Sequence, residues 1–198
     1  MPTTRTTLTT TLKKLVGPAD EFSIESRIFH VICLISVLVA LITIPFDFYI
    51  GIPELALIMT GIFTSGLAVF YISRYKRNLP LAVILFGLLS NMAFLVNYTQ
   101  NSGFYGPNLT MFLLSLLLII AVAPQRQYWL WIPLNVTTVV GLLILEYHYP
   151  EIAPYTYQSE AGRYIDLGFS YIIIGGLIVL AIIYIRHSFH QQETALLK

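Results

Sequence analysis

Charge is what this sequence has least of. Asp, Glu, Lys and Arg make up 11% of its 198 residues, against about a quarter in an ordinary soluble domain, and this excludes a water-facing globular fold. Cysteine is nearly absent: Cys33 stands alone inside an apolar run, so no internal disulfide forms and the thiol reads as a small core residue. There is no nucleophile elbow, phosphate-binding glycine loop, HExxH pattern or cysteine pair, which leaves an enzyme or a zinc centre without its usual carriers. No acid or base sits mid-way along an apolar run. Pumps and proton-coupled transporters place such groups near the bilayer centre, so that class is disfavoured. The threonine-rich, basic opening of the chain lacks the apolar core of a secretory signal.

What is present is apolar surface. With 57% hydrophobic residues and a mean hydropathy of +0.76, the chain reads as an all-α, polytopic membrane protein. Measured against the roughly 20 residues needed to cross about 30 Å of hydrocarbon, six spans are expected near 28–48, 54–73, 79–97, 108–123, 128–147 and 166–186. The fourth is short. Pro45, Pro80 and Pro133 fall at or near span ends, where a missing backbone donor costs least.

Basic residues alternate with the spans. Arg5, Lys13, Lys14 and Arg27 precede the first, Arg74, Lys76 and Arg77 follow the second, Arg126 follows the fourth, and Arg186 and Lys198 lie at the end. The other side carries Asp47, Glu54, Glu146, Glu151, Glu160 and Asp166, with Arg163 as its basic exception. The positive-inside rule then predicts a six-helix transmembrane bundle with both termini cytoplasmic. The expected organisation is a cytoplasmic tail over 1–27, with an amphipathic piece around Leu12, Leu15 and Val16, a membrane domain over 28–186, and the start of a cytoplasmic helix over 187–198. Phe46, Phe48, Tyr49, Tyr71, Tyr75, Tyr128, Trp129, Trp131, Tyr147 and Tyr149 read as interfacial anchors.

The charge-free polar break from Asn97 to Asn108 lies between the third and fourth spans, and Gly103, Gly106 and Pro107 make it a turn with a helix restarting near Asn108. A second outer segment, Tyr149 to Arg163, holds Tyr155, Tyr157 and Glu160. Asn97, Tyr98, Asn101, Asn108, Glu146, Tyr147, His148, Arg163 and Asp166 lie at the outer ends of spans three to six, where their polar groups can converge on a small molecule or lipid. Arg163 and Asp166 are three apart, at pairing distance on a helix. Glu146, His148 and Glu151 match no metal motif, and neither metal nor cofactor is assigned. His30 reads as a hydrogen-bonded helix contact.

Asn91 and Asn135 read as interhelical hydrogen-bonding residues, and Gly61, Ser65, Gly66, Gly168, Gly175 and Gly176 as points of close helix approach. After Ile182 neither proline nor glycine stops the last helix, and Ile182, Ile185, Phe189 and Leu196 recur at helical spacing, which reads as the start of a coiled-coil seam with a second copy or as an amphipathic end lying on the membrane, the continuing helix being favoured. Gly175, Gly176, Ile182, Ile185 and Phe189 are therefore the candidate signal-transmitting positions.

The chain resembles the six-span N-terminal sensor region of a group of bacterial sensor histidine kinases. The residues that carry this are Gly103-Phe104-Tyr105-Gly106-Pro107, Pro124-Gln125, Leu130-Trp131, Glu146-Tyr147-His148-Tyr149-Pro150 and Arg163-Tyr164-Ile165-Asp166-Leu167. The resemblance implies a sensory input domain in the bacterial cytoplasmic membrane, working as a homodimer and passing its signal through the last helix to a kinase. His187 and His190 lack the acidic context of a phosphoacceptor and no ATP-binding motif follows, so the chain is expected to be the membrane part of a longer kinase or a stand-alone relative. A small transporter or channel and a membrane scaffold are the rival readings. Nucleic acid is not an expected partner.

Overall fold

The computed structural model describes residues 15–18, 20–49, 53–155, 157 and 159–196, and for residues 46, 47, 49, 53–55, 184 and 187–196 the backbone alone. Among these residues there is no strand. Beyond the helical residues 15 and 16, six α-helices succeed one another among the described residues: α1 (Ile24–Tyr49), α2 (Pro53–Arg74), α3 (Leu79–Gln100), α4 (Asn108–Val122), α5 (Tyr128–His148) and α6 (Glu160–Leu196). Short 3-10 turns at Gly103–Tyr105, Gln125–Gln127 and Pro150–Ile152 join the later ones. Five stretches are long and apolar enough to cross a membrane: Ile24–Pro45, Ala56–Arg74, Leu79–Gln100, Gln125–His148 and Glu160–Ile183. The 15-residue α4 rises only about 22 Å, short of the ~30 Å hydrocarbon layer.

Local caps explain where the helices begin. The Ser23 hydroxyl accepts from the Ser26 N–H at 3.3 Å, so α1 starts at Ile24, ahead of the expected 28. The domain boundary placed after residue 27 therefore falls inside a helix. The Asn78 side chain accepts from Leu81 N–H at 3.2 Å and starts α3, with Pro80 in the first turn. Ser159 Oγ accepts from Gly162 N–H at 3.1 Å, the third helical position, and Glu160 lies in the first turn. Both features suit a helix N-terminus, so α6 starts six residues before the expected 166 and the outer segment from Tyr149 is correspondingly shorter. Pro107 directly precedes α4, which restarts at Asn108 as the sequence predicts.

Consecutive helices from α1 to α5 pack against one another, and α4 also touches α1 and α6. This central position answers its shortness: a helix wrapped by neighbours does not need to match the lipid thickness itself. The main core gathers Ile28, Phe29 and Ile32 of α1, Val69 and Phe70 of α2, Ala82 and Val83 of α3, Leu118, Ile119 and Val122 of α4, and Trp131 of α5. A smaller cluster of Tyr98, Phe112, Leu142 and Ala153 lies toward the opposite end.

Several expected roles change in this packing. Trp131 is not an interfacial anchor: it is 1% exposed, its ring fills the space over Gly87 on α3, and its Nε1–H donates to Gln127 at 3.1 Å. Its neighbour Trp129, 76% exposed, takes the outward position, because residues two apart on a helix face different ways. Asn135 does bridge helices, donating to the Phe112 carbonyl of α4 at 3.1 Å. Asn91 instead donates within α3, to Gly87 O at 2.8 Å. Gly66 lies close against Val37, where an added Cβ would sit 3.0 Å from the valine side chain. Gly61, Gly168, Gly175 and Gly176 have open space where a Cβ would be, so within this chain they mediate no close approach.

Candidate functional site

The two ends of the bundle differ in chemistry. At the acidic end the polar turn after α3 folds down over the start of α4. Ser102 and Gly103 both take left-handed backbone angles, with φ of 57° and 52°, which reverses the chain within a few residues. Asn108 then becomes the centre of the turn. It is fully buried, accepts from Asn97 Nδ2 at 2.6 Å, and donates through Nδ2 to the carbonyls of Asn101 at 2.9 Å and Gly103 at 2.8 Å. Only a side chain carrying both a carbonyl and an amide in this small volume meets all these demands.

Two carboxylates tie this turn to α5 and α6. Glu146, in the last turn of α5, accepts from the Tyr98 hydroxyl of α3 and from the Phe104 backbone N–H, the latter at 3.1 Å to Oε2. The glutamate lies so close to the turn that a Cβ on Gly103 would fall 2.7 Å from its Oε2 and 2.7 Å from Ala153 Cβ. Asp166, in α6, accepts from the Tyr157 hydroxyl at 2.5 Å and from Asn101 Nδ2 at 3.4 Å. Burial, followed by the hydrogen bond to Asp166 and that residue's charge, pushes the Tyr157 phenol above its ordinary titration range. Both carboxylates are thus held by neutral donors.

Arg163 does not pair with Asp166 as the spacing suggested. Its Nε donates to the Tyr105 carbonyl at 3.2 Å, and its guanidinium lies 5.4 Å from the centre of that ring. The turn after α3 has moved beneath α6 and offers a closer partner. Tyr105, Tyr155 and Tyr157 continue the cap as a row of edge-to-face rings.

Of the nine candidate binding residues, the structure brings Asn97, Tyr98, Asn101, Asn108, Glu146, Arg163 and Asp166 into this connected network. Tyr147 and His148 stay out: Tyr147 is 82% exposed, and exposed His148 touches the rings of Tyr147 and Tyr149. Among the described residues no three His, Cys, Asp or Glu side chains gather into a metal-binding group. The Phe104 amide and the close fit of Gly103 were missed by sequence reasoning, because only the folded turn sets them against Glu146.

The basic end is closed by the segment that precedes α1. His30 of α1 is fully buried, with Nδ1 2.7 Å from the Val16 carbonyl and Nε2 3.0 Å from Ser73 Oγ of α2. The carbonyl can only accept, so Nδ1 carries the proton and donates to Val16, while Nε2 shares a hydrogen bond with the Ser73 hydroxyl. This agrees with His30 as a hydrogen-bonded contact. Arg74 Nε donates to the Leu15 carbonyl at 3.1 Å, and its guanidinium stands 4.4 Å from the Phe22 ring. Arg77 reaches Glu21 at 2.7 Å and lies 5.3 Å from the same ring. Gly17, with φ of 96°, leaves room for Phe22. Residues 15–18 and 20–22 are therefore strapped to the bundle; of the expected amphipathic piece, Val16 is buried and Leu15 exposed, and Leu12 lies outside the described residues.

Along α6, Gly175 and Gly176 have no near neighbours, Ile182 is half exposed, and Ile185 packs partly against the core. The seam expected from Ile182, Ile185, Phe189 and Leu196 is thus divided at its start. The side chains of Phe189 and Leu196, like those of Phe46, Asp47, Tyr49 and Glu54, lie outside the described residues.

No protein family, curated protein or solved structure matches the chain.

Proposed function

We propose that the chain is a membrane-embedded sensory input module. In this reading all six helices cross the bacterial cytoplasmic membrane, the basic end and both termini face the cytoplasm, and the acidic cap faces outward. A small molecule or lipid headgroup engaging the cap shifts the packing of α6 against its neighbours. The last helix carries that shift inward, as one of a pair in a homodimer, to an output of the histidine-kinase type. The resemblance in sequence motivates the kinase part of this reading.

The observation that carries the proposal is the continuity of α6. It runs 37 residues without a break, about 55 Å at 1.5 Å per residue, and is held at its acidic end by Asp166 and Arg163. It therefore begins in the polar network and continues well past the thickness of a bilayer. A helix anchored at one end and long enough to emerge at the other couples the two surfaces as a rigid element. A ligand with a few kcal/mol of preference for one packing is enough to bias it.

Disulfide cross-linking of single cysteines from Ile182 to Leu196, in a Cys33→Ala background in native membranes, tests the reading. The expected result is a helical period of reactive positions that changes in Asp166→Asn. Flat reactivity, or a pattern indifferent to Asp166, would remove the basis for signalling through α6. Membrane-impermeant labelling of cysteines at 104, 159 and 194 checks the sidedness separately, position 104 being an exposed point of the turn after α3.

A further inference from the structure

Midway through the bundle three polar side chains come to one depth where α3, α4 and α5 adjoin. α3 and α4 run antiparallel, with the ring centres of Phe94 and Phe112 5.7 Å apart; three residues further along each helix, toward its middle, stand Asn91 and Ser115. α3 and α5 run parallel, with the Trp131 ring over Gly87; four residues on from each stand Asn91 and Asn135. All three are buried, with exposures of 9% for Asn91, 4% for Ser115 and 6% for Asn135. Asn135 reaches the Phe112 carbonyl, but its two neighbours are not satisfied. Asn91 spends its amide nitrogen on the Gly87 carbonyl, and among the described residues neither its Oδ1 nor Ser115 Oγ has a hydrogen-bond partner or contact with solvent. Other hydroxyls in the bundle bond back to their own helix, Thr43 to the Val39 carbonyl at 2.8 Å, Thr60 to Ala56 and Thr99 to Val96 at 2.9 Å. Ser115 does not take that route.

We propose that Asn91 and Ser115 hold one buried water molecule that links α3 to α4 in the middle of the bundle. Asn91 Oδ1 only accepts, so whatever meets it must donate, whereas Ser115 Oγ can do both. A water that donates to the amide oxygen and accepts from the hydroxyl satisfies the two at once, and two polar partners are the least that hold an internal water. The demand is strong because a polar group orphaned inside a bilayer has no bulk solvent to turn to. A hard cation does not fit, since two neutral oxygens without a carboxylate do not replace its hydration. A larger hydroxyl compound finds no entry: Phe112 and Trp131, one turn to either side, are 0% and 1% exposed. The bridge gives Asn91 the link between helices that its own bond to Gly87 does not make, and it joins the direct ties of α4, Asn97 to Asn108 and Asn135 to Phe112. The site lies away from the acidic cap and does not depend on a sensory role.

The test is water-edited solid-state NMR of the whole chain, isotope-labelled and in phospholipid bilayers, in which polarisation passes from water protons to nearby amides. The Asn91 side-chain amide is expected to build up severalfold faster than the backbone amides of Met92 and Leu117, residues of the same depth whose side chains are exposed on the outside of the bundle. Ser115→Ala removes one of the two partners; it should abolish that lead and lower the thermal midpoint by a few degrees, with helical content intact. Ser170→Ala, at a buried serine of α6 outside the group, should leave the Asn91 build-up unchanged. Asn91 building up no faster than the two reference amides, a lead that survives Ser115→Ala, or an equal loss in Ser170→Ala would each overturn the proposal. So would a raised midpoint in Ser115→Ala, the mark of a hydroxyl buried without any partner. If Ser115→Ala does not fold, the comparison of Asn91 with Met92 and Leu117 decides.

Discussion

The bundle is closed at both ends, but by different physics. At the acidic end, buried amides and two carboxylates are satisfied by phenols, amides and a backbone N–H, and the central Asn108 has no solvent exposure. At the basic end, the buried polar part is His30 with Ser73, and the rest of the closure is the Arg74–Leu15 hydrogen bond, guanidinium over Phe22 and an Arg77–Glu21 pair with side chains 62% and 48% exposed. Buried hydrogen bonds cost most when a partner is lost, because the remaining group stays desolvated. Exposed ion pairs are replaced by water and contribute little. The acidic end should therefore be the brittle one and the basic end the forgiving one.

That contrast can be broken most decisively at Gly103. Gly103→Val must place a β-branched residue at positive φ and drive its Cβ into Glu146 and Ala153, with an expected loss of about 3 kcal/mol or failure to fold. Thermal unfolding in detergent, followed by Trp fluorescence, reads it out; a loss no larger than that of a surface substitution would mean the cap is loose. Asn108→Ala should come next. It strands Asn97 Nδ2 and the carbonyls of Asn101 and Gly103, for an expected cost of about 2 kcal/mol.

The basic end yields smaller effects. His30→Ala removes the bridge from Val16 to Ser73 and opens a cavity, and about 1–2 kcal/mol is expected. Protease cleavage near residues 15–22 should accelerate in that variant. If His30→Ala proves as damaging as Gly103→Val, the two ends are equally brittle and the comparison fails. Arg77→Gln should lower stability by no more than ~0.5 kcal/mol and only at low salt, given the exposure of the pair.

Alkaline titration sharpens the acidic side further. Tyr157 is pushed above the ordinary phenol range in the fold. Its contribution is then fully present below the unfolded phenol value of about 10 and is lost as pH rises past it. In the absorbance change of tyrosinate, Tyr157→Phe should remove one phenol that ionises later than the exposed tyrosines, leaving the buried Tyr98 in place. A titration in which Tyr157→Phe removes an early-ionising phenol would contradict its burial against Asp166.

Reading the chain as a sequence captured its long-range pattern because that pattern is imposed by solvent. Apolar runs near 20 residues have the length that a bilayer asks for, and run length does not depend on which helix touches which. Five of the helices were legible for that reason, and the shorter α4 from its restart at Asn108, where Pro107 and the glycines before it act locally. That seven of the nine singled-out polar residues meet in one network was also within reach of the sequence, since polar groups at the ends of apolar runs are conspicuous against so little charge. Helix starts at Ile24 and Glu160 were less so: Ser23 and Ser159 are caps only once their hydroxyls meet the N–H groups three residues on.

Direction and partnership were decided by tertiary structure alone. Sequence spacing allowed Arg163 to meet Asp166, yet the folded turn gave the arginine the Tyr105 carbonyl and the aspartate Tyr157 and Asn101. Trp131 and Trp129 are chemically identical and two positions apart, and only the space above Gly87 determines which is buried. Tyr147 and Glu146 are adjacent, but the helix turns one toward solvent and the other into the cap. The amino-acid order set how often the chain crosses from polar to apolar surroundings, a one-dimensional property. Which side chain answers which required the helices to be placed against one another, because hydrogen bonds and packing act over a few ångströms between residues up to 65 positions apart.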